Sequence, residues 1–286
     1  MARGATWGIA CGAASVLVLL LLGGMAAAQR PALSQKFKNI ELCNGADRKS
    51  PDIQIDGCTA LIESGEELPK ILVIAYNNRG NAYLAKGEYD RAVEDYDQSI
   101  KLNPNYARGF NNRGVAYQKK GDYDRAIEDF DASIKLDPNY ASAFANRAQT
   151  YLRKGDHERA ALDYDEAIRL KPTLEALWSG RCWARAIIGD LQAALADCNE
   201  AVRLAPNVAA TFDSRGLIYL KMGQWDRAID DYSSALQLNP KLASSLYGRG
   251  LARLKSGDTT DGNADAAEAK AIDAKIVEDF EHYGVQ

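Results

Sequence analysis

"ARGFNNRGVAYQKKGDYDRAIEDFDASIKLDPNY" runs from Ala107 to Tyr140 and holds two helical stretches with the residues that end them. Gly121 closes the first, because glycine accepts the left-handed backbone at a helix C-terminus. Pro138 closes the second, because proline cannot continue a helix and pushes the residue before it out of one. The same punctuation returns every 34 residues. Prolines stand at Pro104, Pro138, Pro172, Pro206 and Pro240, with Ala274 in the next place. Glycines stand at Gly87, Gly121, Gly155, Gly189, Gly223 and Gly257. A fixed period of this kind marks stacked helical hairpins.

We number each repeat from 73, 107, 141, 175, 209 and 243, and call equivalent positions columns 1 to 34. Large and small residues then alternate. Column 4 is Tyr76, Phe110, Phe144, Trp178, Phe212 and Leu246; column 20 is Ala92, Ala126, Ala160, Ala194, Ala228 and Gly262. Column 24 is Tyr96, Phe130, Tyr164, Cys198, Tyr232 and Ala266. With a hairpin of 34 residues, this pattern resembles the tetratricopeptide repeat family, of the exported bacterial type, over residues 73–276. The resemblance implies an all-α, right-handed superhelical solenoid of antiparallel helix hairpins. The six repeats are 73–106, 107–140, 141–174, 175–208, 209–242 and 243–276. The aromatic columns are its core.

Column 7 departs from the family. It is Arg79, Arg113, Arg147, Arg181, Arg215 and Arg249, where most such repeats carry an apolar residue. It lies three residues from column 4 and four from column 11, on the core-facing stripe. Buried cations need partners, and column 23 offers Asp95, Asp129, Asp163, Asp197, Asp231 and Asp265. Equal numbers in every repeat predict a strut between the two helices, repeated along the array.

The N-terminus reads as a secretory signal over 1–28. Arg3 precedes an uncharged run centred on "SVLVLLLL", Ser15–Leu22, and Ala26-Ala27-Ala28 offers a small-residue cleavage site. Export to the periplasm follows. The run from Gly4 to Ala28 is also long enough to span a bilayer, which leaves an uncleaved membrane anchor as the alternative. Residues 29–38 read as a linker. Residues 39–72 read as a degenerate helical unit capping the first repeat, and 277–286 as a C-terminal tail. In "DAKIVEDFEHYGVQ", 273–286, Ile276, Val277 and Phe280 share a helical face, as a cap or as a docking peptide for another subunit. Beyond the signal, the cysteines are Cys43, Cys58, Cys182 and Cys198. A solenoid unit touches mainly its neighbours, so the expected pairs are Cys43–Cys58 and Cys182–Cys198. In the family, the columns holding the second pair face each other across the hairpin.

The resemblance places columns 2, 5, 6, 9, 12 and 13 on a concave face. The first three repeats put there Asn77, Asn78, Asn81, Arg108, Asn111, Asn112, Lys119, Asn146 and Arg153. Amides donate and accept, which suits an extended peptide backbone. The lysine that the family's chaperone-tail clamp needs at column 5 is absent. These residues are the expected partner site for a protein or peptide. A self-assembling structural subunit of an envelope complex is the alternative, and a homo-oligomer stays open. A net charge of -4 excludes a broad basic field for nucleic acid, and two histidines are poor material for zinc or acid–base chemistry. No Walker loop, G-x-S-x-G or H-E-x-x-H occurs. The sequence therefore predicts no enzyme, no cofactor, no metal and, after signal cleavage, no membrane contact.

Overall fold

Glycine and proline end the helices where the 34-residue period places them. The computed structural model of the chain describes residues 34–45 and 50–285, and every regular element among them is helical. The signal over 1–28 lies outside the described residues. Among the described residues no helix is long and apolar enough to cross a membrane. Two compact units divide at Pro104.

The first unit holds α1 (34–43), α2 (Pro51–Glu63), α3 (Pro69–Ala85) and α4 (Tyr89–Leu102). Residues 34–38, assigned above to a linker, are helical. Lys36 sits on α1 and pairs with the buried Glu67 at 2.9 Å, so the helix is held from its first turns. The Cys43–Cys58 disulfide staples α1 to α2, with Cα atoms 4.5 Å apart. Helix α3 starts before repeat position 1. Pro69 occupies its first turn, where the missing N–H costs nothing, and the column that holds proline in later repeats is Lys70 here.

The second unit holds five hairpins and a terminal helix. The hairpins are α5 (Ala107–Lys120) with α6 (Tyr123–Leu136), α7 (Ala141–Lys154) with α8 (His157–Leu170), and α9 (Glu175–Ile188) with α10 (Leu191–Leu204). Then come α11 (Ala209–Lys221) with α12 (Trp225–Leu238), and α13 (Ala243–Ser256) with α14 (Thr259–Ile272). Helix α15 (Ile276–His282) is the last helix among the described residues. Gly121 closes α5 at φ 81°. The acidic residues at column 16 do more than line a solvated face. Asp122, Asp156, Asp190 and Asp258 accept a backbone N–H three residues on, capping the second helices.

In this unit each first helix touches the next first helix, α5 to α7 and so on to α13. The second helices do not touch one another. The first helices therefore line the inner, concave side. Phe130 and Tyr232 are completely buried, and the burial of Phe130 stabilises by about 1.5–3 kcal/mol. Close approach is what column 8 requires. A Cβ at Gly114 would lie 2.8 Å from the Phe130 ring. Cys182 and Cys198 occupy the equivalent columns of the fourth repeat and form the second disulfide, Cα atoms 5.5 Å apart.

Candidate functional site

The repeating arginines are struts in all six repeats. Each guanidinium grips its column-23 carboxylate with two parallel bonds: Arg79 to Asp95 at 2.8 and 2.8 Å, and Arg147 to Asp163 at 2.8 and 2.6 Å. Arg113–Asp129, Arg181–Asp197, Arg215–Asp231 and Arg249–Asp265 repeat the geometry. Forked pairs of this kind bind strongly and in one orientation. The bond to Asp95 raises the Arg79 guanidinium further above its ordinary value, against burial.

A third contact was missed in the sequence. The remaining guanidinium nitrogen reaches back to column 25 of the preceding repeat: Arg147 to Asp131, Arg181 to Asp165, Arg215 to Asn199 at 3.0 Å and Arg249 to Ser233 at 3.4 Å. The strut therefore ties neighbouring repeats as well as the two helices of one. Column 25 shows the signal: Asp97, Asp131, Asp165, Asn199 and Ser233 carry oxygen, and Ala267, in the last repeat, does not. Column 19 adds a second pattern. Arg91, Arg125, Arg159 and Arg227 lie 4.0, 4.6, 4.4 and 5.7 Å from the column-11 tyrosine rings of Tyr83, Tyr117, Tyr151 and Tyr219. Where column 11 is Arg185 or Arg253, column 19 is Ala193 or Asp261, and the column-11 arginine bonds Asp197 or Asp265 instead.

The asparagines divide. Asn77 and Asn111 were expected to face a partner, but they are 2% and 4% exposed. Asn111 lies between α5 and α7, where it accepts from Asn146, so its amide is inside the stack. Asn78 donates to Asn44 at 3.2 Å, and Asn81 accepts from the Tyr96 hydroxyl at 2.8 Å. In the first unit these asparagines thus serve the join with the capping hairpin and the core ring. In the second unit an amide ladder crosses from α7 to α5. Asn146 donates to Asn111 at 2.9 Å, and Asn111 to Asn112 at 3.1 Å. Gln118, not singled out in the sequence, extends it by donating to Thr150 at 2.8 Å. Asn112 and Asn146 keep part of their surface in solvent, and Arg108, Lys119 and Arg153 are exposed. Lys119 and Arg153 meet, with Lys120 and Tyr123, around an open cavity of about 280 Å³. At the two glycines of this column the space is taken. At Gly180 a Cβ would lie 2.4 Å from the Tyr164 ring, and at Gly248 one would lie 2.2 Å from the Tyr232 ring. At these two positions a tyrosine of the preceding repeat occupies the space a side chain would take.

One sequence family described as TPR repeat matches residues 80–121 and 216–257, and two described as Tetratricopeptide repeat match residues 107–140 and 130–161. The chain is a tetratricopeptide repeat protein. Solved TPR structures share the fold. A tetratricopeptide repeat protein from Parabacteroides merdae is 16% identical with a TM-score of 0.64, covering 88% of this chain and 99% of its own. PilF of Pseudomonas aeruginosa is 16% identical with a TM-score of 0.65, covering 74% and 98%. YrrB, described as a TPR protein with an unusual peptide-binding site, is 18% identical with a TM-score of 0.56, covering 66% and 99%. No curated protein matches the chain.

The concave face of the last TPRs is not bare. Lys221, column 13, donates to the carbonyls of Ala186 and Tyr283, both at 2.9 Å. Asp213, column 5, accepts from Ser244 at 3.0 Å and from Ser245. Burial raises the Asp213 carboxyl above its ordinary value, against those two bonds. Burial lowers the Lys221 ammonium.

Proposed function

We propose that this TPR protein is an exported interaction scaffold, not an enzyme, and that it holds an extended acidic peptide of a partner protein across α5 and α7. The observation that carries the reading is the juxtaposition on one concave face of half-exposed amides, Asn112 and Asn146, with the exposed cations Arg108, Lys119 and Arg153. Amides pair with a peptide backbone, and the cations select acidic side chains while speeding encounter. The amide ladder orients Asn146 before any peptide arrives, which lowers the ordering cost of binding. The description of YrrB as peptide-binding accords with this use of the fold. Two disulfides, each closing a short loop, accord with an oxidising compartment.

The test is equilibrium binding of the full chain to a panel of acidic and charge-neutral peptides in extended sequence. Acidic peptides should bind more tightly, with affinity falling as salt rises. Asn112→Ala with Asn146→Ala should weaken the binders by about tenfold, a loss of about 1.4 kcal/mol. Equal binding of neutral and acidic peptides, or affinity indifferent to both substitutions, would sink the proposal.

A further inference from the structure

The C-terminal tail lies where a ligand would lie. Tyr283 sets its ring edge-on against Trp183, centroids 4.8 Å apart. Phe280 does the same against Tyr247 at 4.9 Å. The carbonyl of Tyr283 accepts from Lys221. Trp183, Lys221 and Tyr247 occupy columns 9, 13 and 5 of the fourth, fifth and sixth repeats, all on concave-face columns. A plain end cap would rest on the last hairpin. Helix α15 does rest there, against α13 and α14, but Tyr283 beyond it reaches two repeats back to Trp183 on α9. Ile276 and Phe280 are buried, as a shared helical face predicts, and Phe280 and Tyr283 cover Tyr247 and Trp183 in the groove.

What lies beneath is not matched to the tail. Lys221 meets two carbonyls and no carboxylate among the described residues, though it is half-buried. The Tyr232 hydroxyl is fully buried and has no hydrogen-bond partner among the described residues. A cation held only by neutral carbonyls gains from a carboxylate in their place. Helix α15 has seven residues, too few to be stable by itself. Terminal segments of this kind open locally while the rest of a protein stays folded.

We propose that the concave face of repeats four to six is a second peptide site, and that residues 276–285 are its resident, displaceable occupant. The partner it fits is a short segment with two aromatic residues three apart, as Phe280 and Tyr283 are, followed closely by a carboxylate that takes Lys221. The tail then sets a threshold. Being tethered, it competes at a high effective concentration, and only a segment better matched to Lys221 displaces it. This site deepens the scaffold reading but shares no residue with the α5–α7 face.

A fluorescent synthetic peptide, AKIVEDFEHYGV, copies residues 274–285 and serves as the probe. Wild-type full chain should bind it weakly. Full chain carrying Phe280→Ala and Tyr283→Ala should bind it at least tenfold more tightly, because its own tail no longer competes. Adding Lys221→Met or Trp183→Ala should remove most of that gain. Probe binding unchanged by the tail substitutions, in a variant whose helical signal matches wild type, overturns the proposal. Hydrogen exchange of the wild type covers the case of a misfolded variant. Amides of 279–285 should exchange faster than those of α13; exchange in step with α13 would make the tail an integral cap and end the proposal. Asn112→Ala and Asn146→Ala should leave probe binding intact, so failure here and failure of the α5–α7 reading are told apart.

Discussion

Replacing Arg147 by methionine removes a strut and leaves its partner behind. Asp163 has a side chain only 9% exposed, and Arg147 supplies both of its strong bonds. Asp131, the third member, is 52% exposed and rehydrates at little cost. The loss therefore resides in one buried carboxylate without its cation. Breaking such a pair from one side costs about 3–5 kcal/mol, whereas replacing both partners by apolar residues is often close to neutral. For a unit of this size that corresponds to about 2–4 °C in Tm per kcal/mol. Urea unfolding of wild type, Arg147→Met, Asp163→Leu and the double variant completes the cycle, with an unchanged slope showing that the unfolding unit is the same. The double variant should recover most of the loss. Acid should also narrow the gap between Arg147→Met and wild type. Burial already raises the Asp163 carboxyl, against its bond to Arg147. Without that bond it rises further, so the penalty from Asp163 is smallest at low pH, where the carboxyl is protonated, and grows as pH climbs through the raised value. A single variant costing under about 1 kcal/mol, or a double variant no better than the single, would refute the strut.

Three further outcomes follow from individual sites. Asp213→Asn should raise stability at neutral pH and lose that advantage in acid, read as Tm at two pH values. Its folded carboxyl lies above the ordinary 3.8, so wild type loses stability as pH rises through the shifted value. Gly248→Ala should cost about 1–3 kcal/mol, since the Tyr232 ring 2.2 Å from the new Cβ is fully buried and cannot withdraw; a Tm equal to wild type would contradict it. Replacing Cys182 and Cys198 together by alanine should remove about 3 kcal/mol in denaturant unfolding, the worth of a closed loop of this length.

The array was legible because its rules are local and repeated. Proline and glycine end helices by backbone chemistry, and each repeat restates them. The Arg147–Asp163 strut could be read for the same reason: two columns of opposite charge and equal number had to be buried in one hairpin. Column 25 was harder. Asp131 and Asp165 look like surface acids within their own repeat, and only the next repeat's arginine gives them a partner. The asparagines failed differently. Asn77 and Asn111 resemble Asn78 and Asn112 in sequence, yet one residue along a helix turns a side chain by about 100°, from the open face into the stack. The tail's path was out of reach, because Phe280 and Tyr283 are separated from Tyr247 and Trp183 by chain that only the curvature of the unit brings together.

The scaffold reading meets its most direct test in photocrosslinking within the producing cell. A photoreactive residue placed at Gln149, exposed on α7 at the concave face, is compared with one at Glu128, exposed on the outer face of α6. A discrete partner band at position 149, absent at 128 and lost with Asn112→Ala and Asn146→Ala, is the expected result. A band from position 128 alone, or one at 149 that survives both substitutions, would contradict it.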